Sequence, residues 1–257
     1  MSEKNREGKR TARERLAVER EKQNAADKRR RALIVGASVV CVLGLAAVIG
    51  VVAANAGKDD SDSSGPLVAP AGANGEDNLA IPVGKTSARS TLTVWEDFRC
   101  PACKSFETVY RPTIHELTGS GQLRVEYRLA TIIDGNMRGT GSRNAANAAA
   151  CSQDAGKFTA YHDVLYDNQP PETDDAFGEN SKLIELAAKV DGLDTPAFRT
   201  CVEKGTYNNW VEKSAAAFQD GGFSGTPTVL LDGKNILQDQ SMTPAKLKQL
   251  VQEANKA

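Results

Sequence analysis

A run of 23 residues without a charged side chain, Ala32 to Ala54 (ALIVGASVVCVLGLAAVIGVVAA), divides this 257-residue chain into unequal parts. A helix apolar on every face for that length is more than a domain of this size encloses. At about 1.5 Å per residue it spans about 34 Å, enough to cross a hydrocarbon core of about 30 Å, so the run predicts a single transmembrane helix over 32–54. Charge orients it. Residues 1–31 carry twelve basic against six acidic side chains, a net +6, with Arg29, Arg30 and Arg31 abutting the run. The rest of the chain holds twenty basic against twenty-seven acidic side chains, a net −7, beginning with Asp59, Asp60 and Asp62. The positive flank is expected in the cytoplasm, which makes the protein a single-pass cell-membrane protein with everything after residue 55 extracytoplasmic. A cleaved signal peptide is the rival reading, since Ala54-Asn55-Ala56 resembles an A-x-A cleavage site. The apolar run is longer than the roughly 7–15 residues of a signal core, and export follows on either reading.

The N-terminal segment 1–31 interleaves its charges (Arg13, Glu14, Arg15; Glu19, Arg20, Glu21, Lys22). That pattern suits a solvated cytoplasmic stretch lying near lipid headgroups and argues against a nucleic-acid patch. Residues 55–89 are rich in Gly, Ser, Asp, Pro and Ala without apolar period, and read as a flexible linker. Residues 90–257 then form one α/β domain. Leu92–Trp95 reads as a strand, and Phe106, Val109, Tyr110, Ile114 and Leu117 as the apolar face of a helix with a kink at Pro112. Leu123, Val125, Tyr127 and Leu129 alternate as a second strand. A helical block follows over about 138–220. Thr228–Leu231, an Asp232-Gly233 turn and Ile236-Leu237 form a hairpin, and Thr243 with Pro244 opens a last helix burying Leu247, Leu250, Val251 and Ala254.

Of the five cysteines, Cys41 lies in the apolar run and four lie beyond it. Cys100-Pro101-Ala102-Cys103 falls where a strand ends and a helix begins. Unpaired N–H groups and the positive end of the helix dipole there stabilise a thiolate on Cys100, while Cys103, one turn in, is shielded and placed to attack a mixed disulfide. Pro101 has no N–H to lose in the first turn. A redox pair is the leading reading. A structural disulfide closing two residues would restrain little chain, and a zinc pair would need ligands that His115 and His162 do not supply as a second spaced pair. In an oxidising compartment Cys151 and Cys201 are expected to form a structural disulfide, with free buried thiols or a second redox pair as alternatives.

Asp97-Phe98-Arg99-Cys100-Pro101-Ala102-Cys103, a helical insertion, and Gly225-Thr226-Pro227-Thr228 before a hairpin and terminal helix together resemble the DsbA-like branch of the thioredoxin superfamily. The resemblance implies a thioredoxin-like fold with a helical insertion and a cis Thr226–Pro227 bond beside the cysteines. The backbone of Thr226 would then pair with extended substrate. It further implies a thiol:disulfide oxidoreductase that donates its disulfide to exported cysteine-containing proteins. Reoxidation would come from a membrane quinone-linked oxidase of the DsbB or vitamin K epoxide reductase type, and no metal or organic cofactor is called for. A disulfide reductase or isomerase, and a peptide-binding chaperone module, are the alternatives. Two departures matter. The buried acid that many relatives carry six residues before the first cysteine is Val94 here, leaving Glu96 and Asp97 as candidate proton-relay residues. The Pro-Ala dipeptide lacks the histidine of the strongest oxidants, which predicts a less stabilised Cys100 thiolate and a weaker oxidant.

Overall fold

The computed structural model describes residues 67–256. The expected cytoplasmic segment, transmembrane helix and cleavage site, Cys41 and the first part of the linker lie outside them. Among the described residues no helix is long and apolar enough to cross a membrane.

Five strands form one sheet in the order β1-β3-β2-β4-β5: β1 Ile81–Val83, β2 Ser90–Glu96, β3 Leu123–Leu129, β4 Thr228–Leu231 and β5 Lys234–Asn235. The central pair, β2 and β3, is parallel with Val94 opposite Tyr127, and the other three pairings are antiparallel. A parallel pair needs a crossover, supplied by α1, Pro101–Gly119. The helical block comprises α2 Ile132–Met137, α3 Gly141–Asp154, α4 Phe158–Asp167, α5 Asn180–Ala187, α6 Pro196–Lys204 and α7 Asn208–Asp220, and α8 Pro244–Lys256 closes the domain.

Period-two alternation sends Leu92, Val94 and Glu96 of β2 to one face and Trp95 to the other. Leu92 and Val94 join Phe106, Tyr110, Ile114 and Leu117 of α1 in the main core. Trp95 instead meets Phe218 of α7 and Phe223 at ring separations of 5.5 and 5.7 Å. The insertion packs around α3, whose Ala145, Ala146, Ala148, Ala149 and Ala150 are all buried. Side chains this small let α4, α6 and α7 approach one helix from several sides, and the Cys151–Cys201 disulfide ties α3 to α6.

Several boundaries differ from the sequence reading. The linker expected to run to residue 89 ends earlier, because Leu79, Ala80 and Ile81 are buried and β1 pairs with β3. A three-residue strand containing Pro82 is too short to show a period. The insertion begins at Ile132, ahead of 138, and is broken by turns. Val109 is 54% exposed and stands off the core face of α1, which continues through Pro112. The return strand is Lys234–Asn235, since the two-residue Asp232-Gly233 turn, with φ of 48° and 82°, places Lys234 directly opposite Leu231. Leu247 and Val251 of α8 are buried, whereas Leu250 and Ala254 are only partly so.

The Cys151–Cys201 bridge closes a separation of 50 residues, for which loop-closure entropy gives about 4 kcal/mol. Replacing both cysteines by alanine is expected to lower unfolding stability by up to that amount in denaturant titrations, with the Cys100 chemistry unaffected.

Candidate active site

β2 ends at Glu96 and α1 starts at Pro101, so Asp97–Cys100 form a short loop that delivers Cys100 to the helix N-terminus as its capping residue (φ −74°, ψ 119°). Side chains from the insertion hold this loop at several points. The Asp97 carboxylate accepts the Arg99 N–H at 2.8 Å and the Ile133 N–H at 2.9 Å. The Gln169 amide donates to the carbonyls of Phe98 and Cys100 at 2.9 and 3.0 Å. The guanidinium of Arg99, 1% exposed, reaches Asp134 at 2.8 Å, Asp175 at 2.7 Å and the Glu172 carbonyl at 3.1 Å. Those two carboxylates in turn accept the first N–H groups of α3: Asp175 from Gly141, and Asp134 from Ser142 and Arg143. A β-carbon on Gly141 would stand 2.5 Å from Asp175 and 2.9 Å from Arg99, so the tight junction needs glycine there.

Cys100 and Cys103 are free thiols and both are buried, Cys103 to 1% exposure. Their acidities are split. The Cys103 thiol favours a thiolate on Cys100, and the N–H groups of Cys103 and Ala102 add to it. Against the opposing effect of burial, these hold the Cys100 thiol down at about 6. Burial first, and then the neighbouring Cys100, push Cys103 well above the usual thiol range. Pro101 and Ala102 are exposed in the first turn of α1 and leave the approach to Cys100 open. The Thr226–Pro227 peptide is cis, and the Thr226 carbonyl oxygen lies 3.3 Å from Cys100 Sγ. Thus Thr226 and Pro227, more than 120 residues away in sequence, stand beside the cysteine pair.

Glu96 and Asp97 are both buried, which removes the surface reading of either. Their side chains part: Asp97 clamps the loop, with burial raising its carboxyl to about 7 against the two backbone bonds, while Glu96 meets His162 of α4 at 2.9 Å. Glu107 of α1 lies beside that pair, and ligand-type atoms of Glu96, Glu107 and His162 fall within 4.8 Å of one another. Spacings of 11 and 55 residues hid this trio from a motif search. Sequence reasoning also missed Arg99, Gln169, Asp134 and Asp175. Arg99 carried a usable signal, since a charged residue next to a cysteine motif at a strand end must either be exposed or find partners.

A sheet with a helix crossover, a thiol pair of split acidity at a helix N-terminus and a cis-proline loop against it define a dithiol–disulfide exchange protein. The family model described as thioredoxin matches residues 77–253, and the chain belongs to that family. Disulfide bond formation protein D of Bacillus subtilis is 26% identical over 157 residues, covering 60% of this chain and 68% of the relative. Among solved structures, a reduced disulfide bond oxidoreductase (DsbG) from Mycobacterium tuberculosis superposes with a TM-score of 0.60 at 28% identity, covering 69% of this chain and 88% of that one. The oxidised DsbA of the same organism gives 0.59 at 28% identity over 68% and 92%. The protein is a DsbA-like thiol:disulfide oxidoreductase with the thioredoxin fold.

In the reduced protein, thiolate absorbance is expected to rise with a midpoint near pH 6 and to be missing in Cys100→Ser. A folded-state value below the ordinary thiol value of 9.0 stabilises the reduced fold only once the group ionises. The reduced form should therefore gain stability relative to the oxidised form as pH rises from about 6 to about 9, by up to about 4 kcal/mol, and lose it on acidification. Arg99→Ala strands two carboxylates and is expected to cost about 3 kcal/mol in denaturant unfolding, the low end for breaking a buried pair, because the Asp175 side chain is 35% exposed.

Proposed function

We propose that this oxidoreductase works outside the cytoplasm, anchored by the apolar run at 32–54, and donates its Cys100–Cys103 disulfide to exported cysteine-containing proteins. The observation that carries this reading is the split acidity of the pair. A Cys100 thiol at about 6 is a good leaving group, and its stabilised thiolate favours the reduced form of the enzyme, as a disulfide donor requires. That value lies well above the value of about 3.5 in strongly oxidising DsbA, in keeping with a Pro-Ala dipeptide that lacks histidine. The Cys151–Cys201 disulfide within the same domain suits an oxidising compartment.

The reaction runs in two exchanges. A substrate thiolate attacks Cys100 Sγ, the enzyme disulfide breaks, and its electron pair leaves on Cys103. A second substrate thiolate then attacks the substrate sulfur of the mixed disulfide and expels Cys100 as thiolate, leaving an oxidised substrate and a dithiol enzyme. The cis Thr226–Pro227 turn presents the Thr226 backbone next to Cys100, where an extended substrate segment can pair with it. A membrane quinone-linked oxidase of the DsbB or vitamin K epoxide reductase type would restore the disulfide, and the N-terminal anchor would keep the domain within its reach.

Thiol trapping in intact cells tests the direction: Cys100 and Cys103 are expected to be mainly oxidised, and the purified protein to oxidise a reduced, unfolded substrate while Cys100→Ser does not. Mainly reduced cysteines, or a reduction potential near about −270 mV, the thioredoxin value, would establish a reductase instead.

A further inference from the structure

Cys103 leaves the enzyme disulfide as a buried thiolate and must be protonated, yet the position six residues before Cys100 holds Val94, which carries no proton. Asp97 is poorly placed to serve, since each of its carboxyl oxygens already accepts a backbone N–H. Glu107 is different. It stands four residues after Cys103 on the buried face of α1, where i and i+4 β-carbons are about 5–6 Å apart and side chains lean toward the helix N-terminus, that is, toward Cys103. It is 1% exposed, and neither of its carboxyl oxygens has a hydrogen-bond partner. Two residues beyond Val94, on the same face of β2, Glu96 brings a second carboxylate to this spot, and its Oε1 lies 2.9 Å from His162 Nε2. The other imidazole nitrogen, Nδ1, lies 3.5 Å from Asp163, which is 24% exposed and faces Arg111 and His115 at the surface.

We propose that Glu107 is the proton donor and acceptor for Cys103, with the imidazole of His162, held by Glu96 and Asp163, beside it to stabilise the carboxylate it becomes. The inference rests on the thiol–disulfide exchange assigned above. When a substrate thiolate opens the disulfide, the S–S electron pair departs on Cys103. A proton from Glu107 turns that thiolate into the thiol and leaves Glu107 as carboxylate. His162, held charged between Glu96 and Asp163, stabilises that carboxylate until a proton from solvent restores the acid. Reoxidation reverses each transfer. The groups facing Glu107 are Glu96 from β2, Tyr127 from β3, His162, Asp163 and Tyr166 from α4, and Arg111 on its own helix, and Tyr166 feels the charges of both Glu107 and Cys103. Burial raises the Glu107 carboxyl to about 7, opposed by His162 and reinforced by Glu96, which suits a group exchanging protons at neutral pH. The His162 imidazole rises to about 10, its carboxylate neighbours Glu96, Asp163 and Glu107 outweighing the opposing effect of burial. The trio is thus a charged imidazole between two acids.

The test is the pH profile of disulfide transfer to a thiol peptide, measured from about pH 5 to about pH 9. The wild-type rate is expected to show an inflection near 7 that Glu107→Gln lacks and Glu107→Asp keeps. At neutral pH Glu107→Gln should slow transfer by about one to two orders of magnitude, at or below the low end of general acid–base effects. Its Cys100 thiolate absorbance should be unchanged, which a general disturbance of the fold would not allow. Cys100→Ser abolishes transfer at every pH, so loss of the underlying activity is told apart from loss of the proton path. Should Glu107→Gln fail to fold, carbon-13 NMR of the wild-type glutamate carboxyls decides: one should titrate near neutrality, with different midpoints in the dithiol and disulfide forms. A wild-type pH profile in Glu107→Gln, no such glutamate, or a stoichiometric divalent ion held by the trio would each overturn the proposal.

Discussion

The buried guanidinium of Arg99 is the constraint on which much of the arrangement depends. A full positive charge beneath the surface is tolerable only when paired and hydrogen-bonded, and the partners available are Asp134, Asp175 and two backbone carbonyls, all in the insertion. Because Arg99 precedes Cys100, satisfying that charge fixes the insertion against the active-site loop. The same carboxylates cap the N-terminus of α3, so one charge cluster orients both the helix at the centre of the insertion and the loop bearing the nucleophile.

With the loop held, the electrostatics of the cysteine pair follow from position. The Cys103 thiol and the first backbone N–H groups of α1 favour the thiolate of Cys100, and these outweigh its burial. Cys103, one turn deeper, receives the desolvation without comparable compensation. The difference in acidity is a difference of about one helical turn. It provides a leaving group at the start of the helix and, one turn deeper, a sulfur that must be protonated, with Glu107 a further turn along the same buried face.

Much of this was legible along the chain because its causes are local. A short β-prone run marked β2, alternation marked β3, the Asp-Gly turn marked the hairpin, and the cysteine motif between a strand and a helix marked the nucleophile. β1 was hidden because three residues cannot show a period, and Val109 read as core because helical spacing does not say how wide the covered face is. The roles of Glu96 and Asp97 could not be separated in sequence, since adjacent residues at a strand end point to opposite sides and each side offers a different partner. Glu107 and His162 gave no motif at all.

By itself the sequence determined that an apolar run long enough to span a membrane precedes an α/β domain, and that this domain carries a redox cysteine pair at a helix start and a Thr-Pro before a late strand. These are properties of charge, hydropathy and spacing over short windows. Only the tertiary structure decided which buried charges meet. Arg99 with Asp134 and Asp175, and Glu96 with Glu107 and His162, are contacts across dozens of residues, selected because a charge removed from water needs a partner wherever the fold can bring one.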